Sequence, residues 1–126
     1  MTNLPMTLSA LPRISGGLTP DSVILGALPA RLIKIGMGQI YHVSGFNTGP
    51  GVICVHWYDI GTLPIPGVGV PFWRSIIPQD YSGVIEHVPE GVPFLLGLAY
   101  TATALITDSD ATPIAPNVAA LNVGYA

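Results

Sequence analysis

The sequence predicts an all-β domain, a single jelly roll or β-sandwich of about eight antiparallel strands preceded by an extended arm. Fifteen glycines and thirteen prolines are spread over 126 residues, so few windows can hold more than a couple of helical turns. Between them lie runs rich in Val, Ile, Tyr and Thr, which is typical of short strands joined by turns. The length fits one domain with one hydrophobic core.

Residues 1–22 are predicted to form the arm, and residues 23–126 the β domain. Pro5, Pro12 and Pro20 interrupt the arm, and its apolar residues follow no sustained period. We expect the arm to lie on a neighbouring subunit. The side chains that would make this contact are Leu4, Met6, Leu8, Leu11 and Ile14.

Residues 39–58 predict a β-hairpin whose loop centres on Gly49, within a cluster of turn-forming residues. This register sets Tyr41 opposite Trp57 and Val43 opposite Val55, with these apolar side chains on one face. A shift of one residue would scatter these apolar pairs over both faces, so the apolar pattern favours this pairing.

The same register would bring three potential metal ligands to the other face, namely His42, Cys54 and His56. Imidazole and thiolate suit Zn²⁺, but a structural zinc site normally has four ligands. The alternative is that the three are moderately polar side chains in a subunit interface. We therefore expect no resident cofactor or metal, and keep these three residues as the only metal candidates.

Two later strands can be assigned faces from their alternation. In the last run, Ala119, Leu121, Val123 and Tyr125 share one face, which indicates a half-buried strand. In the run after Pro93, the bulky residues Phe94, Leu96, Leu98 and Tyr100 share a face. The opposite face is small and smooth and is predicted to pack against another sheet or subunit through Ala99, Thr101 and Thr103. The Pro- and Gly-rich stretch Gly61–Pro71 between strands predicts one long loop.

Composition restricts the class of partner. Hydrophobic residues make up 49% of the chain and charged residues 9%, whereas small soluble domains carry roughly a quarter of their residues as charged ones. A surface short of charge indicates contacts with other protein subunits. The four basic residues and the net charge of -3 argue against nucleic acid. The longest apolar stretch is interrupted by Pro93 and Gly97 and is too short for a membrane helix, and the N-terminus lacks the pattern of a secretory signal.

No catalytic residue is predicted. The sequence contains no GxSxG, GxGxxG, GxxxxGK[ST] or HExxH motif, and no paired carboxylates with a predicted cleft. The segment 108–110, Asp-Ser-Asp, predicts a turn rather than a Ca²⁺ loop. Glu86, His87 and Glu90 are predicted to lie on a solvated edge.

Exposed aromatic residues are the candidates for stacking on sugars. Trp57 is predicted to be buried, which leaves Tyr58, Trp73 and Tyr81 as possible glycan contacts.

Residues 30–126 resemble small jelly-roll structural proteins encoded in the virion modules of tailed bacteriophages. The resemblance lies in a strand ending VHWYD, a Pro/Gly loop, strands around WRSII and GVIEHVPEGVPF, the run GLAYTATALITDSDATPI and a closing NVAALNVGYA. These are turn and core residues, so the resemblance implies a fold and a gene context and carries over no catalytic residue. The Pro-rich arm lies outside it.

The resemblance implies a non-enzymatic capsid decoration or cement subunit, commonly trimeric, that clamps neighbouring major capsid proteins. We expect a homo-oligomer on the capsid surface of a virion assembled in the host cytoplasm. The alternative is a phage tail, baseplate or head-fibre module that binds host glycans. A cupin-like enzyme on the same fold is a third hypothesis and would need a metal.

Overall fold

The computed structural model describes residues 18–25 and 29–126. In these residues it contains eight β-strands and no helix, which confirms the predicted all-β class. The strands form two four-stranded antiparallel sheets that pack as a sandwich. They are β1 (Thr19–Leu25), β2 (Ala30–Ile35), β3 (Gly38–Asn47), β4 (Ile53–Tyr58), β5 (Trp73–Ile77), β6 (Tyr81–Phe94), β7 (Gly97–Thr103) and β8 (Ala119–Tyr125).

The strand order is β1-β8-β3-β6 in the first sheet and β2-β7-β4-β5 in the second. Most consecutive strands therefore lie in opposite sheets, and only β4 and β5 are both consecutive and paired. This arrangement brings the turns β2–β3 and β6–β7, the start of β5 and the end of β8 to one end of the sandwich.

The predicted hairpin of residues 39–58 is wrong. β3 pairs with β6 and β8, whereas β4 pairs with β5 and β7, so the two strands lie in different sheets. Val43 and Val55, which the register set side by side, are both fully buried core residues. Alternating apolar residues can be buried either when two strands pair within one sheet or when they face each other across a sandwich. The sequence pattern is the same in both cases, so it does not distinguish them.

The core is built around Trp57 of β4. Its ring stacks on Trp73 with ring centres 6.2 Å apart and meets Tyr100 edge-on at 5.4 Å. The indole nitrogen of Trp57 donates to the Ser75 hydroxyl at 2.9 Å, and that hydroxyl donates to Glu86 of the opposite sheet at 3.1 Å. Glu86 thus faces the interior and links the sheets, which corrects its prediction as a solvated edge residue.

An ion pair joins the sheets along one side. Arg31 of β2 donates two hydrogen bonds to Asp21 of β1, at 2.8 and 2.5 Å. Asp21 lies opposite core residue Val123, and Arg31 lies opposite core residue Tyr100, so both charged side chains lie on the inner faces. The pair closes the side of the sandwich where the edge strands β1 and β2 meet.

The predicted faces are partly correct. Ala119, Leu121 and Val123 of β8 are buried in the core, as the alternation predicts. The run after Pro93 is not one strand, because Leu95 and Leu96 form a turn between β6 and β7 and are both exposed. Residues 19–22, predicted as arm, form the first half of β1, and residues 1–17 lie outside the described residues.

Candidate interaction surface

Exposed apolar side chains are concentrated at the end of the sandwich where β2 turns into β3 and β6 turns into β7. Ile35, Met37, Leu95 and Leu96 each expose between 65% and 72% of their surface. The two turns are adjacent, because the Gly36 amide donates to the Leu96 carbonyl at 2.8 Å. A shallow depression of about 450 Å³ opens beside Met37 and Leu95.

Asp59, the residue after β4, holds the β6–β7 turn in place. Its carboxylate accepts hydrogen bonds from the backbone amides of Leu95, Leu96 and Gly97 at 2.7 to 3.2 Å. Gly97 has to be glycine, since a Cβ there would lie 2.3 Å from the Ile60 carbonyl oxygen. The turn is therefore fixed from beneath by a carboxylate and a close backbone contact, while its two leucines face outwards.

The same contacts set the charge state of Asp59. Partial desolvation raises its pKa, but the hydrogen bonds from the three backbone amides outweigh this, and the net pKa lies below its usual value. The carboxylate is therefore ionised at neutral pH, and its negative charge is stabilised by the three backbone amides that point at it.

The loop between β4 and β5 extends this apolar region. Residues 61–72 contain no charged residue. The loop starts against the end turns, because a Cβ on Gly61 would lie 3.2 Å from the Leu96 oxygen and 3.7 Å from an Ile35 methyl group. We call the loop and end-turn side chains together the apolar end surface: Ile35, Met37, Leu63, Ile65, Val68, Val70, Phe72, Leu95 and Leu96, each between 36% and 81% exposed.

The loop has defined structure. The Val68 amide donates to the Ile65 carbonyl at 3.0 Å, and the Phe72 amide donates to the Trp57 carbonyl at 2.8 Å, which fixes the entry into β5. At Gly67 the loop approaches the segment between β7 and β8, since a Cβ there would lie 2.7 Å from the Ser109 oxygen. The two long loops thus meet over the outer face of the second sheet.

This covering corrects one predicted interface. Ala99, Thr101 and Thr103 do form a smooth row on the outer face of the second sheet, but they are 0%, 0% and 1% exposed within the single chain. The loops of the same chain cover them, so they are not available to another subunit. The other predicted interface residues, Leu4, Met6, Leu8, Leu11 and Ile14, lie outside the described residues.

His56 lies under the same loops. Its Nε2 is 2.9 Å from the Thr103 hydroxyl and 3.2 Å from the Leu105 carbonyl, and its Nδ1 is 3.9 Å from Asp108. Arg74 donates two hydrogen bonds to Asp108, and these lower the pKa of that carboxylate. These contacts attach the β7–β8 loop to strands β4 and β5.

The three predicted metal candidates are not brought together. His42 is on β3 in the first sheet, whereas Cys54 and His56 are buried on β4 in the second. The described residues contain no group of three or more His, Cys, Asp or Glu side chains placed to hold a metal ion. Burial, with a smaller effect from Asp110, raises the pKa of the Cys54 thiol, which disfavours the thiolate that a ligand or nucleophile needs.

The predicted turn at residues 108–110 is confirmed. The Asp110 amide donates to the Thr107 carbonyl at 2.9 Å. The Asp110 carboxylate accepts bonds from the Thr112 hydroxyl and from the Leu105 and Thr112 amides. Since Asp108 is held by Arg74, each carboxylate already has partners within the chain, and the two do not converge on one point.

The aromatic candidates for sugar stacking are used for packing. Tyr58 is 3% exposed, and Trp73 packs against the core through Trp57. Tyr81 is partly buried against the core, and its hydroxyl donates to the Val84 carbonyl. Trp73 and Tyr81 are thus only partly accessible, and Tyr58 is not.

Sequence reasoning missed the end turns. The signal is visible in the sequence, since Leu95-Leu96 stands directly before Gly97 and Ile35 and Met37 flank Gly36. Bulky apolar residues beside glycine at a turn cannot all face the core. The alternation after Pro93 concealed this, because it continues through the turn as if the strand were unbroken.

No protein-family model, curated protein or solved structure matches this chain. Within residues 18–25 and 29–126 there is no helix long and apolar enough to cross a membrane.

Proposed function

We propose that this protein is a non-enzymatic structural subunit that assembles with further copies of itself through the apolar end surface. The observation that carries the proposal is the set of nine exposed apolar residues on the two end turns and on the adjoining loop, whose residues 61–72 include no charged side chain. Charge-complementary partners have little to recognise there. A second copy, which offers the same kind of surface, buries it most economically.

The size of the surface supports this choice of partner. Side chains of this kind expose on the order of 100 Å² each, so the nine residues offer on the order of 900 Å². The largest apolar patch on a typical monomer is roughly 300–600 Å². A stable interface buries roughly 800 Å² on each partner. The summed exposed area of the nine residues is therefore on the scale of one subunit contact.

We also propose that the sandwich is a jelly roll. The pairs β1–β8, β2–β7, β3–β6 and β4–β5 are those of one long hairpin folded at its middle. The additional pairs β3–β8 and β4–β7 arise when that hairpin is rolled up into two sheets. This winding supports the jelly-roll assignment, a fold that recurs in viral capsid proteins.

Combined with the resemblance of residues 30–126, these features favour a role in a virion. The subunit is a capsid decoration or cement protein, a homotrimer on the outer capsid surface that binds the major capsid protein. The glycan-binding tail module receives less support, because the described aromatic candidates are packed against the core.

Cryo-electron microscopy of intact particles of the phage that encodes the chain tests this role. We expect density for the sandwich on the outer capsid surface, in clusters of three copies. Density on the tail or baseplate would support the glycan-binding alternative instead. Particles in which mass spectrometry detects no copy of the chain would contradict the virion role altogether.

A further inference from the structure

The outer face of the first sheet carries a groove at the half nearer the apolar end surface. Its volume is about 530 Å³. The floor includes Gly124 of β8 and His42 of β3, and one wall is formed by Leu18 and Pro20. The other wall is a bulge of β6, where residues 88–91 are inserted between the pairs Ile40–Val92 and His42–His87.

Two histidines stand next to each other in this groove. His42 and His87 are direct cross-strand partners, with ring centres 6.0 Å apart and planes inclined by 76°. Among the described residues, neither ring makes a hydrogen bond or an ion pair. Each imidazole therefore retains nitrogen atoms that are free to bind a ligand.

We propose that His42 and His87 together bind one borderline transition-metal ion of the Zn²⁺, Ni²⁺ or Cu²⁺ class. With roughly 2.1 Å from metal to nitrogen and a tetrahedral angle, two coordinated imidazoles have ring centres roughly 5 Å apart. The observed separation of 6.0 Å is within about 1 Å of that value, a change that side-chain rotation provides. This site does not depend on the proposed function.

His42 and His87 supply the imidazole groups among the residues that line the groove. Asp21 also lines the groove, but Arg31 binds its carboxylate, and the Glu86 carboxylate accepts a hydrogen bond from Ser75 on the inner face. Leu18, Pro20 and Pro89 also line the groove. Two protein ligands leave coordination positions open for water or for a donor from another molecule.

The test is isothermal titration of the full chain, without a polyhistidine tag, with ZnCl₂ and NiCl₂ at neutral pH. We expect one ion per chain, and a loss of at least about tenfold in affinity in His42→Ala and in His87→Ala. Asn122→Ala, in the same groove, is the matched control and should bind like the parent chain. Circular dichroism of each variant confirms that the fold is retained.

Two results would overturn the proposal. One is the absence of saturable binding by the parent chain. The other is binding that the double variant His42→Ala/His87→Ala retains, which would assign the ion to another part of the chain. An NMR spectrum with Ni²⁺ gives a second readout, since signals of His42, His87 and neighbouring Tyr41 should broaden before all others.

Discussion

At the scale of single residues, Asp59 connects the fold to the apolar end surface. It follows the buried strand β4, and its carboxylate holds the turn that carries Leu95 and Leu96. The sequence shows an aspartate at the end of the segment VHWYD, but it does not predict the partners of this residue. They lie 36 to 38 positions further along the chain. Contacts over such separations depend on the topology, and local patterns do not encode them.

Replacing Asp59 tests this role. We expect Asp59→Ala to lower the free energy of unfolding by about 1–2 kcal/mol, as for the loss of a side-chain cap on backbone amides. Urea denaturation at pH 7 measures the difference. Glu90→Ala, which removes another exposed carboxylate, is the control and should change stability little. Equal stability of the two variants would show that the turn holds without Asp59.

Asp59 also sets an expected pH dependence. Its pKa in the folded chain lies below its usual value of 3.8, so the unfolded chain takes up the proton first as pH falls. The stabilisation is complete above that value and is lost as pH falls through the folded pKa. The pKa values of Asp108 and Asp110 are lowered as well. We expect stability to fall below about pH 4, less steeply in Asp59→Ala; an identical slope in both chains would contradict the assignment.

At the scale of strands and loops, the sequence predicted the inward-facing residues best for strands that bury only one face. The run at residues 119–125 gave the correct inner face of β8, because a strand with one side in the core must alternate. The pairing of β3 with β4 was wrong, because two buried strands read alike whether they are neighbours or face each other. His42 consequently has His87 as its cross-strand partner and not His56. The proposed metal pair is therefore His42 and His87, which the sequence pattern did not place together.

The N-terminal arm is the element whose predicted role still has to be tested. A chain lacking residues 1–17 retains β1, which begins at Thr19, and should keep the circular dichroism spectrum of the folded β domain. We expect it to lose stable assembly, because the aliphatic side chains of the arm no longer lie on a neighbour. Analytical ultracentrifugation measures the loss.

A full-length variant separates the apolar contacts of the arm from its length. The substitutions Leu4→Ser, Met6→Ser and Leu8→Ser keep every residue position and remove most of the aliphatic surface. We expect this variant to behave like the truncated chain. If both forms sediment like the parent protein, the arm has no part in assembly.

At the scale of the whole molecule, much of the exposed apolar surface lies in one region of the chain. The loops of the same chain cover the smooth face with Ala99, Thr101 and Thr103, so that face does not account for the apolar excess. Of the sixteen large apolar residues exposed in the described part of the chain, nine lie on the apolar end surface, where residues 61–72 and the two end turns meet. Composition predicts a partner for apolar surface, but the position of that surface depends on how the long loops fold back, which composition does not contain.

The native mass of the protein in solution tests the central claim most directly. We predict a homotrimer of the 13.2 kDa chain, and dissociation to monomers in the double variant Val70→Glu/Leu96→Glu, because burying the new carboxylates would cost more than the contact supplies. Val84→Glu introduces one such carboxylate at a residue 51% exposed on the first sheet, and should remain trimeric. A monomeric parent chain, or a double variant of unchanged mass, would contradict the account.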